Sequence, residues 1–149
     1  MIRWREAQAG DVAAIVALLS DDVLGAARET TDLTTYEAAF ARMQKEGANR
    51  LIVGEDAAGR IVATYQIVMI SGLSLRAARR AQIESVRVEA GLRGQGIGAE
   101  LMADAEARAR AGGCRLMQLT THASRKDAHR FYDRLGFTPS HIGYKRQID

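Results

Sequence analysis

Little in this chain invites a covalent or metal-centred reading. Cys114 is its one cysteine, so no disulfide can form within the chain, and a reducing, cytoplasmic setting fits. A lone cysteine reads first as a small core residue. No grouping of Cys, His, Asp and Glu has metal-ligand spacing, and no metal is expected. Aromatic residues are only 5% of the total. Trp4 is isolated and the tyrosines do not alternate with cations, so the stacking platform of a nucleic-acid binder is missing and no nucleic acid is expected. No apolar run approaches the roughly 20 residues of a bilayer span, and no membrane partner is expected. The opening MIRWREAQAG carries no signal-peptide layout and reads as mature sequence. Pro139 is the one proline, and no repeat, low-complexity tract or linker interrupts the chain.

What remains is an ordinary globular composition. The length of 149 residues suits one domain over 1–149 with a proper core. The net charge of +3 and pI near 9.3 are mildly basic and suit an anionic ligand. The cations are dispersed apart from RAARR at 76–80. That run could meet substrate, a partner chain or nucleic acid, but such runs are usually solvated.

Periodicity gives the element order. IRWREA (2–7) reads as a strand. A helix follows with Asp11 as N-cap and Val12, Ile15, Leu18 and Leu19 on one face. TTYEAAFARMQKEG reads as a second helix, with a Thr34–Glu37 capping box and Gly47 at its end. RLIVGE (50–55) and RIVATYQIVMI (60–70) flank DAAG as a hairpin. AQIESVRV (81–88) is strand-like. A helix built on Ile97, Leu101, Ala105 and Ala109 stops at Gly112-Gly113. RLMQLTT (115–121) is a strand, SRKDAHRFYDRLG a helix capped by Ser124 and Asp127, and HIGYKRQI (141–148) a final strand. The unit strand, glycine loop, helix, strand implies a right-handed crossover between parallel strands. The whole reads as α+β or α/β, a mixed sheet with helices on both faces.

The glycines Gly94, Gly96 and Gly98 crowd the start of the third long helix behind Arg93. Glycine is costly there unless backbone must approach something closely or take positive φ. A helix N-terminus offers unpaired N–H groups and the positive end of its dipole, so the pattern points to an anion, with Arg93 as a charged donor. GQGIGA matches the dinucleotide pattern literally. It is rejected because five residues, Glu89 to Arg93, separate strand from glycines, and the next strand ends Thr120-Thr121-His122 without a ribose-binding acid. A nucleoside-triphosphate loop fails for want of G-K-[ST].

ESVRVEAGLRGQGIGAELM resembles the coenzyme A signature V-x-x-x-x-R-G-x-G-I-G of the GNAT superfamily of N-acetyltransferases. DAHRFYDRLGF resembles that family's second block, A-x-x-F-Y-x-x-L-G-F, in the right order and at the right separation. The resemblance covers 81–138 firmly and the whole chain loosely. It implies a single GNAT-type domain whose mostly antiparallel sheet splays at the coenzyme. Backbone groups of Val86 and Val88 would meet the pantetheine arm. N–H groups of Arg93, Gly94, Gln95, Gly96, Ile97, Gly98 and Ala99 would hold the pyrophosphate of acetyl-CoA, and Phe131 would pack on the coenzyme. Many members have asparagine where this chain has Arg125, which either contacts the coenzyme through charge or points away.

The reaction so implied is direct acetyl transfer to an amine in a ternary complex. Tyr132 is the candidate acid for the departing thiolate, a phenol of pKa about 10 being able to donate; otherwise it is a core tyrosine. Glu84 is the candidate base, acting directly or through a water. Two-residue alternation places it on one side with Val86 and Val88, where a carboxylate is unusual unless paired or working. Its alternative role is as a cation's partner, and His122 is the alternative base. Two rivals stand beside this reading: an acyl-CoA sensor that does not turn over, and a basic nucleic-acid module. The acceptor is unidentified. The acids of SDDVLGAARETTD hint at a cationic amine, and a homodimer stays open.

Overall fold

The computed structural model describes every residue except Thr31, together with the side chains of all other residues save Val23. The described residues form two compact units, 1–118 and 119–149.

The first unit is organised by a sheet in the order β1-β2-β3-β4-β5. Its strands are β1 (Arg3–Glu6), β2 (Asn49–Glu55), β3 (Ile61–Ile70), β4 (Arg80–Val88) and β5 (Leu116–Leu119). The first four pair antiparallel in sequence order. The fold is α+β, an open mixed sheet with helices on both faces. The β2–β3 hairpin forms as expected, its turn held by Asp56, whose carboxylate accepts the Ala58 and Arg60 N–H groups.

The helices of this unit are α1 (Val12–Ser20), α2 (Val23–Arg28), α3 (Leu33–Lys45), the single turn α4 (Ser74–Ala77) and α5 (Ile97–Ala111). Register assigns the faces. Leu51 lies opposite Gln66, and Gln66 opposite Glu84, so these three share a face. Leu51 packs there against Val12 and Val16 of α1 and Phe40 of α3. Tyr65, one residue along β3, points the other way and donates its hydroxyl to Asp104 of α5. The core is therefore two-sided. Tyr65, Ile52, Ile67, Ile83, Leu101, Val53 and Val62 are each fully buried, worth about 1.5–3 kcal/mol for each large side chain.

Several local expectations are corrected. On α1 the buried set is Val12, Ile15, Val16 and Leu18; Val16 replaces Leu19. The Asp11 carboxylate makes no cap bond to α1. It accepts the Gln8 N–H at 2.7 Å and pairs with Arg5 at 2.7 Å. The helix α3 is capped by Asp32, which accepts from Thr34 N–H and Thr35 Oγ1, in place of the Thr34–Glu37 box. The segment read as an acidic connection contains α2, capped by Asp22. Gly25 is required in it, since a Cβ would collide with the Leu19 carbonyl oxygen.

The second unit contains α6 (Lys126–Arg134). Ser124 and Asp127 do not cap it. Arg125 holds the cap position without a side-chain bond, and Ser124 N–H instead donates to His122 Nδ1 at 3.1 Å. The strand expected at 141–148 is not formed: residues 137–149 carry no regular structure.

Candidate active site

The anchor of the site is the turn between β4 and α5. A 3-10 turn, Ala90–Leu92, leads from Val88 to the glycines. Gly94 and Gly96 take φ of 79° and 86°, the left-handed region that L side chains rarely adopt. Gly96 is the N-cap of α5. A Cβ on either glycine would meet nothing within 4 Å, so both are demanded by conformation and both face open space. The first intrahelical bond runs from Glu100 N–H to the Gly96 carbonyl at 3.1 Å. The N–H groups of Ile97, Gly98 and Ala99 precede it and have no partner within the helix. Arg93, Gly94, Gln95, Gly96 and Ala99 are exposed, whereas Ile97 is buried and fastens the helix to the core. This is a cradle of backbone donors at a helix dipole's positive end, with an arginine at its rim. It suits a di-anionic group such as a pyrophosphate.

The strand leading into the cradle departs from simple alternation. Gln66 pairs with Glu84 and Thr64 with Arg87, so one residue of β3 faces two of β4. Ser85 takes φ 52° at this bulge. Beyond the bulge the facing of β4 is reversed. Glu84 shares its face with Arg87, while Val86 and Val88 look to the other side, Val88 lying opposite Ala63. The expectation that Glu84, Val86 and Val88 share a side is thereby corrected, and the cause is the extra residue. Glu84 is exposed and accepts Gln82 Nε2 at 3.1 Å; Gln82 Oε1 in turn accepts Gln118 Nε2 at 2.7 Å. Gln66 donates to Asn49 Oδ1 at 2.7 Å. An amide-rich polar strip therefore crosses this face beside Glu84.

Arg87 is paired with an acid of the first unit. Its guanidinium lies 3.0 Å from Asp22, the α2 cap, with both side chains largely buried, and its Nη1 donates to the Val86 carbonyl at 2.9 Å. Arg93 Nε reaches the Val88 carbonyl at 3.4 Å. The carbonyls of Val86 and Val88 are thus engaged by neighbouring arginines. Of the acids between α1 and α3, Asp22 pairs with Arg87, Glu29 accepts the Tyr36 hydroxyl at 2.7 Å and Asp32 caps α3, while Asp21 is exposed.

In the second unit, Tyr132 stands edge-on between Phe131 and Phe137, with ring centroids 5.1 and 5.8 Å away. All three rings are half-buried. His122 is exposed, and its Nδ1 accepts the Ser124 N–H, which leaves Nε2 as its outward nitrogen. Arg125 is exposed at the start of α6. In the first unit, RAARR (76–80) divides: Arg76 and Ala77 are exposed in a turn with φ of 58° and 59°, whereas Arg79 and Arg80 are half-buried, Arg79 donating to Ser71 Oγ at 2.8 Å and Arg80 opening β4. Among the described residues no group of His, Cys, Asp and Glu could hold a metal. A cavity of about 300 Å³ lies between β2 and α3, lined by Glu6, Phe40, Met43, Gln44 and Arg50 among others; no expected site residue lines it.

Sequence reading missed the bulge and the Asp22–Arg87 pair. Ser85 gave no signal, because serine is not a residue that announces positive φ. Asp22 could have been found as an N-cap before Val23, the pattern used for Asp11.

The chain thus combines an open mixed α+β sheet with a helix-start cradle of backbone donors after its fourth strand. Residues 6–137 match the Acetyltransferase (GNAT) family, and the chain belongs to that family. It is 42% identical over 67 residues to an aminoalkylphosphonate N-acetyltransferase of Salmonella typhimurium, a stretch that is 45% of this chain and 44% of that protein. The chain thus matches less than half the length of that curated relative. Over nearly its full length it is similar to a crystal structure of a transcriptional regulator from Bacillus halodurans C-125, with TM-score 0.94, 41% identity, and coverage of 99% of this chain and 100% of that one. It shares the fold of glucosamine-6-phosphate N-acetyltransferase from Arabidopsis thaliana, with TM-score 0.81, 21% identity, and coverage of 100% and 99%.

Proposed function

We propose that this protein is an acetyl-CoA-dependent N-acetyltransferase that acetylates a primary amine of a small-molecule or peptide acceptor by direct transfer. The observation that carries the proposal is the cradle: two glycines with positive φ facing open space at the N-terminus of α5. Backbone donors from Arg93 to Ala99 hold the pyrophosphate, and acetyl-CoA supplies an activated acyl thioester. Phe131 packs on the coenzyme, and Arg125 adds positive charge near it.

In the proposed chemistry Glu84 takes a proton from the acceptor ammonium, directly or through a water. The amine nitrogen then bonds to the acetyl carbon as the carbon–sulfur bond breaks. Tyr132 donates its phenolic proton to the departing thiolate; the second proton that nitrogen loses on becoming an amide restores the tyrosinate, and Glu84 releases the first to solvent. Aminoalkylphosphonates enter as the first acceptors to try, because the Salmonella relative is named for them.

Gly96→Asp puts a side chain and a negative charge into the cradle. Acetyl-CoA affinity should fall at least about tenfold, or ~1.4 kcal/mol, by calorimetry on protein whose circular dichroism is unchanged. Unaltered binding would place the coenzyme elsewhere. A second reading is favoured by the Bacillus halodurans neighbour, named as a transcriptional regulator: an acyl-CoA sensor without turnover. Thiol release over a panel of aminoalkylphosphonates, polyamines and peptides separates the two, since a sensor binds acetyl-CoA and releases no thiol with any amine.

A further inference from the structure

Plain alternation along β4 would put Arg87, three residues after Glu84, on the opposite face of the sheet. The extra residue at the bulge turns it round, so that Arg87 and Glu84 share a face. Ser85 holds φ 52° to make that turn, a backbone state that glycine takes freely and serine does not. A bulge re-aims the side chains beyond it. Here the re-aimed guanidinium comes 3.0 Å from Asp22, with only 10% and 20% of the two side chains exposed. Charges taken this far from water are costly unless the geometry satisfies both.

Each partner carries a second bond. The other Asp22 oxygen accepts the Gly25 N–H and caps α2. Arg87 Nη1 donates to the Val86 carbonyl, two residues from Glu84. The pair therefore ties the start of α2 to the backbone of β4 beside the candidate base. Helix α2 is six residues long, too short to persist on its own. It packs on α1, where Gly25 meets the Leu19 carbonyl, and leaves Ala26, Ala27 and Arg28 exposed. Glu84, also exposed, lies on the face of the sheet that α1 covers. An amine that reaches Glu84 comes over that face, past the corner where α1 turns into α2.

We propose that Asp22 and Arg87 are positioning residues, whose ion pair pins α2 beside Glu84 as a wall of the acceptor site. The role rests on acetyl transfer being the reaction. The pair serves acceptor binding and leaves the cradle at α5 unaffected. Neither residue touches the reacting atoms; each acts through the placement of α2.

The test uses Asp22→Asn, which keeps a cap acceptor for Gly25 and removes the charge, with Arg87→Gln, Arg87→Lys and the Asp22→Asn/Arg87→Gln double variant. The probes are acetyl-CoA and the amine that the wild type turns over fastest among aminoalkylphosphonates, polyamines and peptides. Asp22→Asn and Arg87→Gln should each raise the acceptor KM at least about tenfold, with kcat within about threefold and acetyl-CoA affinity by calorimetry within about twofold. The double variant should be no worse than either single one, because both break one contact. Arg87→Lys keeps the charge and should restore part of what Arg87→Gln loses. Hydrogen exchange should show protection lost in residues 23–29 and kept in residues 97–111. An unchanged acceptor KM would overturn the proposal, whether or not α2 loses protection, since the pair would then be structural alone. Loss of protection throughout residues 1–118, or an equal loss of acetyl-CoA affinity, would overturn it as well. A wild type that binds acetyl-CoA and releases no thiol with any amine would sink the acetyl-transfer reading and this role with it; wild-type turnover with an unmoved KM in the variants would sink this role alone.

Discussion

Residues 1–118 and 119–149 meet water in different ways. In the first unit the buried apolar residues run from Val12 to Ala109 and fill both faces of the sheet. In the second, α6 buries none of its residues, and Leu135, Ile142, Tyr144 and Ile148 are exposed. The first unit holds its shape through its own core. The second leaves these large apolar groups exposed. The family's two signature blocks divide along the same line. The cradle sits at a helix start that Ile97 and Leu101 anchor in the core. The block with Phe131 and Tyr132 sits on a helix with no buried residue.

The largest effect should come from the core itself. Leu101 is fully buried, and Leu135 is 37% exposed. Leu101→Ala should cost about 2–5 kcal/mol in urea unfolding, whereas Leu135→Ala should cost less than about 1 kcal/mol. Equal losses would break the contrast and show Leu135 to be as firmly packed as the core.

A second effect sharpens the contrast in chemistry. Tyr132→Phe keeps the ring between Phe131 and Phe137 and removes one hydroxyl. Turnover should fall on the order of 10²-fold, with coenzyme affinity little changed, if this hydroxyl protonates the thiolate. Glu84→Gln, on the rigid unit, keeps the bond from Gln82 and abolishes basicity. The acidic limb of the pH–rate profile should vanish or shift with it. A Tyr132→Phe enzyme of full activity, measured where chemistry limits the rate, would return Tyr132 to a packing role.

The same division explains what could be read in advance. Strands β2 to β4 and helices α1, α3 and α5 were legible, because burial on one or both faces imposes period 2 or 3.6 on the sequence. The cradle was legible because positive φ at Gly94 and Gly96 demands glycine. The bulge was not, since Ser85 adopts positive φ through its neighbours rather than through its own residue type. One unseen extra residue was enough to turn Glu84 away from Val86 and Val88. The caps were legible as residue types and not as partners. Asp11 looked like a helix cap but is drawn to Arg5, and Asp32 took the role assigned to Thr34. The strand expected at 141–148 was misread: the segment is not a strand, and Arg146 interrupts the alternation that suggested one.

The smallest effect concerns how the rigid unit fastens its first strand. Arg5 of β1 bridges Asp11 at 2.7 Å and Glu55 of β2 at 2.6 Å. The Arg5 guanidinium that hydrogen-bonds Asp11 holds its carboxyl below the usual carboxylate range, against partial burial and with help from the Gln8 N–H. A carboxyl whose folded pKa lies below its unfolded value of about 3.9 binds protons more readily when unfolded. Its contribution is therefore fully present above that value and is lost as pH falls through the folded pKa. Asp11→Asn keeps an acceptor for Gln8 but removes the charge. At neutral pH the wild type should be more stable than this variant, by on the order of 1 kcal/mol for a pair at the protein's margin. The gap should close as urea unfolding is repeated at pH values from about 4 downward. A gap that stays constant through that range would mean that Asp11 acts through shape and its Gln8 bond alone. The fastening of β1 would then owe nothing to the Arg5–Asp11 ion pair.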